Sequence, residues 1–184
     1  MSLKTSTFIM ARSAIFKHTA ALSAGWGEID QAEDGTVRFS APPATLETLR
    51  VEPEFKKRWM GGTCAMNFKF SHQLTSCDSA KLTFKGSRGG HFTGSTNGSF
   101  SASLLDALNA DTRLTETLRA IDLDKLTIEI GDKSVETVLT PYGGGLAYLV
   151  IPPVRTLIPL PSDQTDPLVW ALERIATIID SIND

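Results

Sequence analysis

The stretch Cys64-Ala-Met-Asn-Phe-Lys-Phe-Ser-His72, with the shorter run Ala80-Lys-Leu-Thr-Phe-Lys85, decides the fold that this sequence predicts. Apolar residues take every second position in both runs: Cys64, Met66, Phe68, Phe70, Ala80, Leu82 and Phe84. A period of two is typical of β-strands that bury one face. Together the two runs predict a β-hairpin over residues 64–86 whose apolar face belongs to the core.

The register of this predicted hairpin follows from the position of its loop. A loop centred near Ser76 would place Phe70 opposite Leu82 and Phe68 opposite Phe84. The other face then carries polar and basic side chains: Asn67, Lys69, Ser71, Lys81, Thr83 and Lys85. We therefore expect a wet, basic face, whose three lysines are the candidates for contact with an acidic partner.

The N-terminal region alternates between helical and extended patterns. A helix is predicted within the first 26 residues, with these apolar residues near one face: Phe8, Ala11, Ile15, Leu22 and Trp26. A short strand is predicted at 36–40 and short helical segments at 44–50 and 53–59. Trp59, followed by Met60-Gly61-Gly62, fits either an exposed aromatic hinge or the core, and the core is the commoner place for a tryptophan.

The C-terminal half predicts helices on either side of an antiparallel set of strands. The predicted segments are helices at 101–109 and 112–121, strands at 125–130, 133–139 and 146–151, a proline-rich edge or connection at 152–161, and a last helix that begins at Asp166-Pro167. Asp111 or Thr112 would cap the second helix. In the strands, Ile128 would face Val135, and Val135 would also face Val150.

This order of elements predicts an α+β fold. We expect one domain over residues 1–184, with a largely antiparallel, curved sheet, helices packed on one face and a long C-terminal helix that covers much of it. No internal repeat, low-complexity tail or linker divides the chain. A length of 184 residues is enough to bury a core without disulfides or metal ions.

Composition and charge exclude several classes of protein. No run approaches the roughly 18 apolar residues that a membrane span needs, and charged residues interrupt any signal-peptide core near the N-terminus. Two cysteines are too few for a disulfide framework, so we expect a soluble, cytoplasmic protein. The net charge of −3, with phenylalanines pointing away from the lysines, makes nucleic acid an unfavourable partner.

The segment 86–99 is rich in glycine and serine, with five glycines among its fourteen residues. Such a segment before a helix can offer backbone N–H groups to an anion, and Arg88 and His91 could add side-chain donors. It lacks the residue order of nucleotide phosphate loops and of dinucleotide folds, so a mobile surface loop is the more frequent structure. His91 near Ser87, Ser95 and Ser99 is the least improbable arrangement for nucleophilic catalysis.

Metal binding is disfavoured by spacing. The possible ligands are Cys64, His72, Cys77 and His91. If 64–72 is one strand, its two end side chains are about 26 Å apart at about 3.3 Å per residue, too far for one coordination sphere. A disulfide between Cys64 and Cys77 fails for the same reason. We therefore expect no metal and no cofactor, with Cys64 in the core.

Three functions are compatible with these features. The leading hypothesis is a non-catalytic module that binds a small apolar ligand or a protein partner between helices and sheet, with candidates Phe68, Phe70, Phe84, Tyr148, Trp170 and Ile175. The second is an enzyme or anion-binding protein that uses segment 86–103 with Arg88 and His91. The third is a regulatory protein that docks an acidic partner through Lys69, Lys81 and Lys85. The sequence does not identify the ligand, the partner or the oligomeric state.

Overall fold

A computed structural model describes residues 3–22, 26–75, 78–86, 89–131 and 133–183. Within these residues the chain forms four helices: α1 (Leu3–Leu22), α2 (Ser99–Ala110), α3 (Thr112–Ala120) and α4 (Thr165–Asn183). The same residues form ten strands: β1 (Ile29–Gln31), β2 (Val37–Phe39), β3 (Arg50–Arg58), β4 (Gly61–Gln73), β5 (Ala80–Lys85), β6 (His91–Ser95), β7 (Leu123–Gly131), β8 (Ser134–Pro141), β9 (Gly145–Leu149) and β10 (Val154–Ile158). Short 3₁₀ turns lie at Ala44–Leu46 and Ser162–Gln164.

All ten strands join one antiparallel sheet. Its main order is β1-β2-β3-β4-β8-β7-β5-β6, and β10 is added through β9. The long strand β4 forks the sheet, because its residues 61–64 pair with β9 and its residues 68–73 pair with β8. At the fork, Asn67 accepts a hydrogen bond from the Thr140 hydroxyl at 2.6 Å and donates one to Glu54 at 3.1 Å. The predicted α+β fold with a long C-terminal helix is confirmed.

The core lies between the four helices and one face of the sheet. The predicted alternation is confirmed in β4 and β5: Cys64, Met66, Phe68, Phe70, Leu82 and Phe84 are all buried. Helix α4 adds an apolar stripe, as its spacing predicts, with Leu168, Leu172, Ile175 and Ile179 fully buried. Since these side chains belong to one continuous cluster with residues of α1, α2 and α3, their burial holds the helix layer on the sheet.

The predicted β-hairpin over 64–86 is wrong. Strands β4 and β5 lie in the same sheet, but β8 and β7 lie between them. Phe70 therefore faces Thr137, and Leu82 faces Ile128. An alternating sequence shows which face of a strand is apolar, but it does not identify the neighbouring strand. Any antiparallel strand with an apolar residue on the same face can pair with it.

Other local expectations are also corrected. The predicted helix at 53–59 is part of β3, because Val51 and Phe55 face Phe68 and Cys64 across the ladder with β4. Segment 86–99, predicted as a mobile loop, contains strand β6. Trp59, for which the core was favoured, is 94% exposed.

The last ladders keep the predicted faces but change partners. Val135 faces Ile130 in place of Ile128, a shift of two residues that preserves the buried side. It does not face Val150, because β9 pairs with β4 and β10. The proline-rich segment does form an edge strand, β10, as predicted.

Two carboxylates fix the starts of neighbouring helices. Asp111 caps α3, as predicted, and accepts hydrogen bonds from the Leu114 backbone at 2.9 Å and from Arg174 of α4 at 2.5 Å. Asp78 accepts one from the Ser101 backbone in the first turn of α2 at 2.7 Å. These contacts satisfy N–H groups that have no partner inside a helix.

None of the helices within the described ranges is long and apolar enough to cross a membrane.

Candidate functional site

A cleft of about 600 Å³ opens where the end of β5, the start of β7 and the end of α3 meet. Its lining residues are Phe84, Lys85, Gly86, Leu118, Arg119, Ile121, Leu123, Asp124, Lys125, Leu126 and Tyr142. A volume of this size is within the range of small-molecule sites, roughly 300–1,000 Å³.

The cleft exists because β5 and β7 separate. Their ladder runs from the pair Ala80 and Ile130 to the pair Thr83 and Thr127. Two further residues in the same register would put Lys85 opposite Lys125. Like charges directly opposite each other are destabilising in a sheet, so these lysines favour an open end to the ladder.

The inner wall of the cleft is apolar. Phe84 is 8% exposed, and Leu118, Ile121 and Leu126 are buried. The Phe84 ring packs on the Phe92 ring of β6 with centroids 5.1 Å apart. This packing fixes the wall, so a ligand with an apolar part would meet a preformed surface.

Three cations of the described part of the chain line the rim: Lys85, Arg119 and Lys125. Within the described residues, Lys85 and Lys125 form no ion pair with a carboxylate. Arg119 donates to the carbonyl oxygens of Gly89 and Gly90. The acid of the rim, Asp124, is already paired with Lys56 at 2.7 Å, a hydrogen bond that raises the pKa of Lys56. The rim therefore carries more positive than negative charge, and a further acid that Lys125 acts on is Glu129, whose pKa is lowered by the hydrogen bond from Lys81 and also by the charge of Lys125.

The lysines on the rest of the outer sheet face have carboxylate partners. Lys69 lies 2.6 Å from Glu52, and Lys81 pairs with Glu129. Burial acts to raise the pKa of Glu52, but the hydrogen bonds from Lys69 and Arg50 outweigh it and leave that pKa lowered. The basic face expected from two strands thus becomes a mixed face in the full sheet, because β3 and β7 bring acids beside the lysines.

Comparison with known proteins places the chain in a family. A family model described as a protein of unknown function, DUF3156, matches residues 22–179. The chain belongs to this family. No curated protein and no solved structure matches the chain significantly. The DUF3156 match includes every residue that lines the cleft and all ten strands, and of α1 it includes only Leu22.

The remaining candidate residues lie in three different places of the DUF3156 fold. Phe68 and Phe70 are 1% and 0% exposed in the core. Trp170 lies under the guanidinium of Arg113, 4.5 Å from its ring centre. Tyr148 lies in β9, between Gly62 of β4 and Arg155 of β10. Among the predicted ligand-binding residues that the structure describes, only Phe84 lines the cleft.

The glycine-rich segment holds one side of the cleft. Gly89 and Gly90 have positive φ, +92° and +61°, a conformation that side chains other than glycine adopt at a cost. A Cβ at Gly90 would also collide with the Arg119 side chain. His91 follows at the exposed edge, opposite Lys85, and Arg88 lies outside the described residues. The glycines therefore allow a tight turn onto Arg119.

Sequence reasoning missed several lining residues, above all Arg119, Lys125 and Tyr142. They belong to α3, β7 and the segment after β8, which come together only through the strand order. The available signal was charge: Lys125 follows Asp124 at the start of a strand, and Arg119 ends a helix. Neither position indicates a shared site without the topology.

Two other reactive side chains of the described residues, Cys64 and His72, lie on β4. Among the described residues no group of three or more His, Cys, Asp or Glu could hold a metal ion. Burial raises the pKa of the Cys64 thiol to about 12, and Cys77 lies outside those residues. His72 contacts the Thr45 carbonyl at 2.9 Å and Asp180 at 3.2 Å. Cys64 and His72 therefore hold the core and the helix layer together.

Proposed function

We propose that this protein is a non-catalytic module that binds a small ligand in the cleft, and that the ligand combines an anionic group with an apolar body. The observation that carries the proposal is the pair Lys85 and Lys125, two cations on the rim of a cavity with no carboxylate partner among the described residues. A bound anion would complete this arrangement and relieve the repulsion between them.

The apolar wall supports the second half of the proposal. An anion alone would leave the partly buried Leu123 and the exposed ring of Tyr142 in contact with water along the cleft. A ligand with a hydrocarbon or ring portion would cover that surface and gain about 25 cal/mol for each Å² removed from water. The cleft thus combines features of the first two predicted functions.

The earlier candidates remain proposals of lower support. A ligand between Phe68 and Phe70 would have to open a packed core, which costs stability. Docking of an acidic partner on Lys69 and Lys81 would compete with their present carboxylates. Catalysis in segment 86–103 through Arg88 and His91 needs a nucleophile and a base in contact. A cytoplasmic location remains part of the proposal.

The test uses three probes of matched length or charge: octyl phosphate, inorganic phosphate and octanol. Octyl phosphate is expected to raise the melting temperature most, because its phosphate can contact the cations of the rim and its octyl chain can cover the apolar wall. Native mass spectrometry of the protein as purified checks for a retained ligand of the same chemical class.

Matched variants locate the effect. Lys85→Ala and Lys125→Ala should each weaken octyl phosphate binding about tenfold, the usual loss for one charge-assisted hydrogen bond. Lys81→Ala removes a cation from the same strand and face, but one that is paired with Glu129, and should leave binding unchanged. Equal loss in all three variants, or equal stabilisation by octanol, would contradict the proposal.

A further inference from the structure

Two hairpin tips lie side by side at one end of the sheet. The turn between β3 and β4 is Trp59-Met60, and the turn between β9 and β10 is residues 150–153. The Val150 N–H donates to the Met60 carbonyl at 2.8 Å, and Gly61 faces Leu149 across the adjoining ladder. We call residues 58–60 and 149–154 the hairpin-tip surface.

This surface exposes most of the large apolar side chains that face water. The structure has eleven such exposed side chains in its described residues, and six belong to this surface: Trp59, Met60, Leu149, Val150, Ile151 and Val154. Trp59 is 94% exposed and Ile151 is 70% exposed. Apolar side chains concentrated at one place, in contrast to single scattered ones, indicate an interaction surface.

The charges beneath the tips have one sign. Residues 55–64 and 145–158, which contain both hairpin ends, include four Lys or Arg and no Asp or Glu. Lys56 pairs with Asp124, whereas Lys57, Arg58 and Arg155 have no carboxylate partner within the described ranges. Arg155 donates to the Thr7 hydroxyl of α1 at 3.1 Å, and α1 also contains no acid.

The order of these side chains along the strands matches the layers of a lipid surface. Trp59, Met60, Val150 and Ile151 lie in the turns. The cations Arg58 and Lys57 lie one and two residues behind Trp59 on β3. Tryptophan is favoured at the boundary between headgroups and acyl chains, and basic residues are attracted to anionic headgroups. The tips are also joined by backbone hydrogen bonds, which reduces the cost of removing their peptide groups from water.

We infer that the hairpin-tip surface docks on an anionic lipid membrane, with Trp59 and Ile151 entering the boundary between headgroups and acyl chains. Lys57 and Arg58 then lie at the level of the lipid phosphates. Two protruding turns can enter a fluid layer without a complementary shape, whereas a protein partner would need a concave surface that fits both. This inference is independent of the ligand in the cleft.

The experiment is co-sedimentation of the full chain with vesicles of phosphatidylcholine, with and without phosphatidylglycerol. Binding is expected only with phosphatidylglycerol and should fall as salt increases. The Trp59→Ala and Ile151→Ser variant should bind at least about tenfold more weakly, since the apolar area that enters the lipid is removed. The Lys57→Glu and Arg58→Glu variant should lose at least as much, at about fivefold for each lost cation and more for reversal.

Two control variants share the chemistry but not the position. Phe16→Ala removes an aromatic ring that is 37% exposed on α1 and should bind vesicles normally. Lys133→Glu reverses an exposed charge next to Ser134, which pairs with Gln73 at the far end of β4, and should also bind normally. Thermal unfolding of each variant shows that it is folded.

Three results would overturn the inference. The first is no binding of the wild-type chain to phosphatidylglycerol vesicles. The second is binding that survives the Trp59 and Ile151 substitutions. The third is self-association of the wild type that the same substitutions abolish, since the surface would then join two copies of the chain. None of these results affects the cleft proposal, which Lys85 and Lys125 test separately.

Discussion

Lys81 and Lys85 lie on the same strand and the same face, yet their surroundings differ. Strand β7 places Glu129 beside Lys81, and the two form an ion pair. Near the end of the same strand, β7 brings Lys125 to the cleft that Lys85 also lines. The neighbouring strand therefore determines whether a lysine of β5 forms an ion pair within the fold or remains available to bind a ligand.

The comparison extends to the whole molecule. Partnered charges, such as Asp111 with Arg174, connect one element to another and should act on stability. The unpartnered cations of the rim should act on binding and have little effect on stability. Changes of pH and single substitutions should separate an effect on stability from an effect on binding.

Acidification should reveal the partnered carboxylates. Hydrogen bonds outweigh burial and lower the pKa of Asp78 and of Asp111, and the hydrogen bond from Lys81 lowers that of Glu129. Because the unfolded chain then binds more protons, their stabilisation is present above the unfolded pKa values, about 3.9 for Asp and 4.3 for Glu. It is lost as the pH falls through the lower folded values. Urea unfolding over a pH series measures this loss.

A pH profile of Asp111→Asn provides the control for acidification. Removing one titrating group should make the profile shallower, whereas Lys85→Ala should leave its slope unchanged. A free energy of unfolding that is constant down to about pH 3 would show that the partnered carboxylates do not stabilise the fold.

The next effect concerns a single partnered carboxylate. Asp111→Ala removes the cap of α3 and the ion pair with Arg174, and should lower the free energy of unfolding by about 1–2 kcal/mol. Chemical denaturation measures it. Asp106→Ala is the matched control: Asp106 lies in α2, is exposed and has no hydrogen-bond or ion-pair partner within the described residues. Equal losses would show that the cap contributes nothing specific.

The smallest expected change in the free energy of unfolding distinguishes Lys81 from Lys85 directly. Lys81→Ala breaks an exposed ion pair and should cost about 0.2–1 kcal/mol. Lys85→Ala relieves repulsion with Lys125 and should leave the free energy of unfolding unchanged or raise it by a few tenths of a kcal/mol, on the order of a cross-strand charge effect. The measurement is paired urea titrations, and a larger loss for Lys85→Ala than for Lys81→Ala would refute the distinction.

The sequence determined the faces of strands more clearly than their partners. Alternation in β4 and β5 is a local property, so the burial of Phe68 and Leu82 could be predicted. The partner of each strand depends on long-range pairing: β7 and β8 enter between β4 and β5 from later in the chain. The helix predicted at 53–59 is wrong because the strand pattern there is short. Apolar residues alternate only at Val51, Pro53 and Phe55, and the basic residues that follow do not continue the pattern.

The candidate site was predictable in its parts and not as a whole. Phe84 and Lys85 were recognised from their strand, one as an inward and one as an outward side chain. They lie in one cleft with Arg119 and Tyr142 only because of the turn at Gly90 and the register of β7. Neither feature can be predicted from the neighbouring sequence. Trp59 illustrates the reverse error, because the frequency with which tryptophan is buried does not describe the tip of a two-residue turn.

The fork at β4 has a consequence for how this molecule can vary. One strand is the common spine of two branches: β9 and β10 carry the hairpin-tip surface, and β8, β7, β5 and β6 lead to the cleft. The branches are joined by the chain at residues 142–144, where Gly144 adopts φ +81°. The Tyr142 N–H donates to the Asp122 carbonyl and the Gly144 N–H to the Ile158 carbonyl, each at 2.9 Å. An insertion at this junction would therefore disturb both branches, whereas each branch can acquire new contacts at its far end without affecting the other.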